Sequence, residues 1–168
     1  CFTKSYFTRT DSNSVLHGHT GFRLEADFVL NRKEEKAICI LRETNKKELT
    51  INDDAYTKFS QHIGHYPCVI ITPDDVQLIT GGSEERRKFL DALLSQLDNE
   101  YLQQLINYSK ILQQRNSLLK SVAETGNRNE ALLEVLDKQL IKPGEYIFNR
   151  RKKFLVSFLP AVKHHYSQ

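Results

Sequence analysis

The chain has 168 residues, enough for one compact domain or for two small lobes sharing a core. Its 24 lysines and arginines stand against 21 aspartates and glutamates, a net charge of +3, so any nucleic-acid surface is local rather than global. Cys1, Cys39 and Cys68 have no close pair and no zinc-like spacing, and no stretch approaches the roughly twenty apolar residues of a bilayer span, which together point to a reducing, cytoplasmic setting with no membrane contact.

Lys4 to Asp11 is polar, basic and aromatic without a period and reads as loop; His17 and His19 follow in the same loop region. From Gly21 the pattern alternates. Phe22, Leu24, Ala26, Phe28 and Leu30 share one face and Arg23, Glu25 and Asp27 the other, which predicts a half-buried antiparallel strand. A charged turn over 31–36, a second apolar run from Ala37 to Leu41 and a shorter third from Leu49 to Asn52 complete a β-meander. Arg32, Lys33, Lys36, Lys46 and Lys47 fall at its turns, where cations either keep edges soluble or make a DNA-facing edge. Tyr56, Phe59 and Ile63 predict a short amphipathic helix ended by Gly64. His62 and His65 near its end, like His17 and His19, lack the convergent ligand set that a metal needs; they read as solvated or capping, and no metal is expected.

Cys68 to Ile71 reads as a strand that must stop, or lie at an edge, at Pro73. Gly81 and Gly82 make a turn, Ser83 is the expected N-cap, and Glu84 and Glu85 suit the first turn of a helix on which Phe89, Leu90, Leu93, Leu94 and Leu97 form an apolar stripe. Arg86, Arg87 and Lys88 lie away from that stripe, as a solvated face or a phosphate-facing patch. Asp98 or Asn99 caps a helix toward Lys120, with Leu105, Tyr108, Leu112 and Leu119 on one stripe and Arg115 and Asn116 beside it, placed to bond a neighbouring helix or lobe. Gly126 ends this helix, Asn127 with Glu130 resembles a capping box for the next, and Pro143-Gly144 is expected to break or sharply kink the chain. Beyond it Ile147, Phe154, Phe158 and Val162 restore a helical stripe, with Tyr146 and Phe148 read as core. Arg150, Arg151, Lys152 and Lys153 form the densest positive run, either solvent-facing or in contact with phosphates.

Two runs carry a resemblance. Pro73-Asp74 followed by Gly82-Ser83-Glu84-Glu85-Arg86-Arg87-Lys88-Phe89-Leu90-Asp91, and then Tyr108 with Leu112, Gln114, Arg115, Asn116, Leu118, Leu119 and Lys120, are similar in order and separation to the RecF family of bacterial recombination and repair proteins. The resemblance implies an α+β fold: the antiparallel β-meander portion of an ABC/SMC-like ATPase head over 1–82, then a helical arm lobe over 83–168. It implies a parent protein that binds ATP and Mg2+, clamps double-stranded or gapped DNA, loads recombinase with RecO and RecR, and allows an ATP-dependent homodimer. Asp91, Arg115 and Asn116 belong to the family's structural motif. By position, Asp74, Asp75 or Gln77 comes near the magnesium and γ-phosphate, while a turn-capping aspartate is equally open. DNA contacts are expected from Lys4, Arg9, Arg86, Arg87, Arg150, Arg151, Lys152 and Lys153. Phe7 stands where the family pattern has an arginine, which leaves Lys4 or Arg9 to take its place.

The resemblance covers only the middle of such a protein. No Gly-x-x-x-x-Gly-Lys-Ser/Thr loop is present, since none of the seven glycines precedes a lysine, and this stretch alone is not expected to hydrolyse ATP. The absence of methionine makes Cys1 an unexpected translation start, so the chain reads as a fragment, a processed chain or one with residues missing. Leu78-Ile-Thr-Gly-Gly-Ser83 imitates an ABC signature, but its serine follows the glycines; a nuclease reading fails because Arg86 and Arg87 stand where a lysine is needed. Without the family likeness, leucine stripes and mild charge suit a non-catalytic protein-binding adaptor equally well.

Overall fold

Asn31 and Arg32 hold left-handed backbone angles, φ 52° and 66°, and so do Asn52 and Asp53, at 50° and 70°. Such pairs match the right-handed twist of the strands they join, and each closes a two-residue hairpin. The result is an antiparallel meander of β1 (Phe22–Leu30), β2 (Lys33–Leu41), β3 (Lys47–Ile51) and β4 (Asp54–Ala55), in that spatial order. The structure is a computed structural model that describes residues 3, 5, 8, 10–127 and 129–167. The readings of Cys1, Lys4, Phe7 and Arg9 fall outside the described residues. The chain forms two compact units, Cys1–Val69 and Ile70–Gln168.

In the first unit β1 pairs with β2 along its whole length, Phe22 opposite Leu41 and Phe28 opposite Glu35. This register puts Phe22, Leu24, Phe28, Cys39, Leu41 and Leu49 on one face. Leu41 and Leu49 are buried there, but Leu24 stays 59% exposed, so the apolar face is only partly covered. Tyr66 lies over one neighbouring pair: its ring stacks on Phe28 at 3.9 Å and its hydroxyl donates to Glu35 Oε2 at 2.6 Å. His65 Nε2 reaches the same oxygen at 2.7 Å. The expected charged turn shrinks to Asn31 and Arg32, because Lys33 to Lys36 pair with β1. Instead of an amphipathic helix, Phe59–Gln61 makes one 3-10 turn, and His62 just after it is buried rather than solvated. Lys47 is no hairpin-tip cation; its Nζ donates to Asp11 at 2.9 Å and to the Thr3 carbonyl at 2.6 Å.

In the second unit, the segment 70–82 groups with helices rather than with the strands. Cys68 to Ile71 makes no strand, and Val69 and Ile71 are 79% and 85% exposed. A 3-10 turn over Pro73–Val76 leads into α1 (Gln77–Thr80), then α2 (Ser83–Leu97), α3 (Asn99–Thr125) and α4 (Glu130–Tyr166). Gly82 occupies the N-cap position of α2 and Ser83 is already helical, its Oγ accepting from Arg87 at 2.9 Å. Asp98 caps α3 by accepting from the Tyr101 amide at 3.1 Å, and Gly126 closes it at φ 72°. Asn129, not Asn127, caps α4, through the Leu132 amide at 3.0 Å.

The expected break at Pro143 does not occur; α4 runs through it for 37 residues. A proline inside a helix costs about 3 kcal/mol through one lost donor and a ring clash. Tertiary packing offsets that loss here. Pro143 and Ile147 are buried, and the bare Cα of Gly144 faces Tyr108, whose ring would lie 3.3 Å from an added Cβ. Residue partners across the two long helices run in opposite directions, Asp98 with Arg150, Tyr108 with Gly144 and Arg115 with Asp137, so α3 and α4 are antiparallel. Leu94, Tyr101 and Ile147 form the buried centre, packed by Leu105, Tyr108, Tyr146 and Phe154. Among the described residues no helix is long and apolar enough to cross a membrane.

Candidate functional site

The helical unit is fastened by a polar cluster around Tyr101, whose side chain is fully buried. A buried hydroxyl needs a partner. Tyr101 donates to Asp91 on α2, and the Arg151 guanidinium on α4 grips both Asp91 oxygens at 2.7 and 2.8 Å while its Nε lies 3.1 Å from the Tyr101 hydroxyl. Burial, then the bond to Asp91, pushes the Tyr101 hydroxyl well above its ordinary value, so it remains a donor. One turn away Arg150 pairs with the helix cap Asp98. Burial works to raise the Asp98 carboxyl, but the Tyr101 amide and the Arg150 guanidinium outweigh it and hold the group below its ordinary range. Arg115 joins α3 to α4 through Asp137 at 2.5 Å, the neighbouring-helix bond expected of it.

These contacts sort the sequence-predicted cations. Arg150 and Arg151 face inward, to Asp98 and Asp91. Arg86 donates to the carbonyls of Leu78 and Gly81 at 3.2 and 3.0 Å, which satisfies the end of α1. Lys88 lies 2.9 and 3.0 Å from Glu84 and Glu85. Lys152 and Lys153 are exposed, with no ion pair among the described residues. Asp75 accepts from the Thr72 amide at 2.6 Å, the turn-capping geometry, while Asp74 and Gln77 are exposed. No group of three or more His, Cys, Asp or Glu side chains among the described residues could hold a metal ion.

Residues of the two motif runs come together. Arg87 and Asp91 from the first, and Tyr108, Leu112, Asn116 and Lys120 from the second, line one open groove of about 760 Å³. Phe148 and Gly144 of α4 also line it. Phe148, read from sequence as core, is 63% exposed at this groove. The sequence reading also missed Tyr101. Its signal was its place as the third residue of α3 after the Asp98 cap, within reach of Asp91.

No family model matches the chain. A curated relative from Flavobacterium johnsoniae, named DNA replication and repair protein RecF, is 43% identical over 165 residues, 98% of this chain and 46% of that protein. Proteins of the same name from Phocaeicola vulgatus and Cytophaga hutchinsonii are 38% and 37% identical over 167 residues, 99% of this chain and 44% of each relative. The chain thus spans a little under half the length of the curated relatives it matches. Two solved structures of the recombination mediator protein RecF in the RecFOR pathway, one with ATPrS and one with ATP, superpose with TM-scores of 0.84 and 0.81 at 30% identity. They cover 92% and 90% of this chain, and this chain covers 42% and 41% of theirs. The antiparallel sheet followed by helices is therefore the fold of the matching part of those structures. Identity along nearly all of its length and the shared fold make the chain similar to a little under half of the RecF proteins named above.

Proposed function

We propose that the chain is the central part of an ATP-dependent DNA-binding protein acting in replication and recombinational repair, with 1–82 contributing to an ATPase head lobe and 83–168 forming a helical arm lobe. The observation that carries this reading is 43% identity over 98% of the chain to a DNA replication and repair protein. The solved neighbours described with ATP and ATPrS support nucleotide dependence of the intact protein. Of this chain's residues, Asp74 and Gln77 are exposed and free to approach Mg2+ or a phosphate from the rest of the protein, whereas Asp75 is engaged in its turn. RecO and RecR are the proposed partners, gapped or double-stranded DNA the proposed substrate, and an ATP-dependent homodimer the proposed assembly.

The cations best placed for phosphates are Lys152 and Lys153, followed by Arg86 and Arg87; Arg150 and Arg151 would first have to leave Asp98 and Asp91. Charge on exposed lysines can be reversed without disturbing the helix contacts. In the ATP-loaded full-length protein, Lys152→Glu with Lys153→Glu is expected to weaken duplex DNA binding and to flatten the slope of log affinity against log salt by about 1.8, roughly 0.9 per lost phosphate contact. Fluorescence anisotropy across a salt series measures both. Unchanged affinity and slope remove these lysines from the DNA surface. No DNA binding by the ATP-loaded wild type favours the protein-binding adaptor instead.

A further inference from the structure

The groove of the helical unit combines three features. First, it has apolar lining: Leu112 and Tyr108 of α3 and Phe148 of α4, a large aromatic left 63% exposed. A single exposed apolar side chain needs no explanation, but one lining a concave surface together with other apolar groups marks a binding groove. Second, its charge is one-sided. Asp91 is neutralised by the two-pronged grip of Arg151, whereas Arg87 donates only to the uncharged Ser83 hydroxyl and Lys120 has no ion pair among the described residues. Third, the groove follows α3 from Leu105 to Lys120, about 22 Å at 1.5 Å per residue, with Gln113 and Asn116 offering uncharged hydrogen-bonding groups along the way.

We propose that this groove docks an acidic amphipathic helix of a partner protein, its apolar face laid against Leu112 and Phe148 and its carboxylates answering Arg87 and Lys120. The mode is helix-in-groove recognition, in which apolar anchors spaced three and four residues apart provide the affinity and flanking charges set the orientation. A nucleic-acid backbone fits less well. It could satisfy the two cations, but it would set sugars and phosphates against the aromatic wall. The inference does not rest on the DNA reading; it assigns Arg87 to the partner helix instead of to phosphates, and the residues that test it are separate from Lys152 and Lys153.

The test uses the full-length protein and a displayed library of helical peptides about 15 residues long, with Leu or Phe at helical spacing and Glu, Lys or Ala elsewhere. Glu-rich peptides are expected to be enriched. Phe148→Ala and Lys120→Glu, both on exposed side chains outside the packed centre, should each weaken the selected peptides by at least about tenfold. Exchanging Glu for Lys in the peptide should recover binding to Lys120→Glu. Enrichment of Lys-rich peptides, or of none, overturns the proposal, as does binding indifferent to both substitutions. Two further outcomes also defeat it: duplex DNA affinity that falls with Phe148→Ala would make the groove a nucleic-acid site, and peptide-free self-association that falls with the same variant would make the occupant a second copy of the protein.

Discussion

Replacing Arg151 by methionine is expected to lower the unfolding free energy by about 3 kcal/mol, the low end of the range for breaking a buried ion pair. The low end applies because the two side chains are 23% and 20% exposed, so water partly screens what remains. The loss is large for a positional reason. Asp91 lies on α2, Tyr101 on α3 and Arg151 on α4, so one guanidinium ties together all three long helices. Without it the Asp91 carboxylate keeps only the Tyr101 hydroxyl, so α2 stays joined to α3 while α4 loses its polar tie to α2. Arg151→Lys preserves the charge but not the planar fork, and should recover part of the loss. Asp91→Asn combined with Arg151→Met should cost less than the sum of the single changes, because the second substitution no longer strands a charge. Urea unfolding followed by circular dichroism provides the comparison, with Lys138→Met as control, since that lysine pairs with Glu134 on an open surface where both side chains are about 70% exposed. A cost for Arg151→Met no larger than for the control would show that the cluster does not hold the helices together.

This cluster also shows where sequence reasoning stops. Strict alternation from Phe22 to Leu30 fixed a strand because period two has one structural solution, and the stripes of α2 and α3 were legible except at their ends, where Leu97 and Leu119 are exposed. Asp98 and Gly126 marked their helix ends because capping is local chemistry. Four adjacent cations, by contrast, have no visible partners in a linear sequence. Arg151 meets Asp91 sixty residues away, and only the antiparallel course of α4 against α3 turns two of the four inward. Pro143 misled for the same reason: the local penalty was legible, and the packing of Tyr108 on Gly144 that outweighs it was not. Cys68 to Ile71 shows the converse, an apolar run with strand composition that forms no strand. The groove itself could be anticipated only in part. The family runs marked Arg87, Asp91 and Asn116, while Phe148 looked like one more core aromatic.

His62 should make the strand-rich unit sensitive to acid well above the range in which carboxylates titrate. Its ring is buried, with Tyr56 and Tyr66 edge-on at 5.3 and 5.6 Å, and its Nδ1 finds no hydrogen-bond partner among the described residues. Burial pulls its pKa down to about 4, against about 6.5 for an unperturbed imidazole. Between those values the unfolded chain takes up a proton that the fold refuses, so stability rises with pH through this interval and levels off above it. The stability lost on acidification from neutrality to about pH 4 is on the order of 3 kcal/mol at most, from 1.36 kcal/mol per pKa unit. Glu35, held below its ordinary value first by Tyr66 and then by His65, loses its stabilising effect only as pH falls below the ordinary carboxylate range, so the two groups separate on the pH axis. His65, with its ring centroid 6.2 Å from that of His62, is the group most easily confused with it. Comparing His62→Phe with the parent in a His65→Gln background removes that ambiguity. The observables are the imidazole proton shift of His62 and amide exchange at Leu41 and Leu49, the buried strand positions of this unit. A His62 midpoint near 6.5, or exchange rates with the same pH dependence in His62→Phe, would mean that the ring can take its proton without disturbing the packing around it.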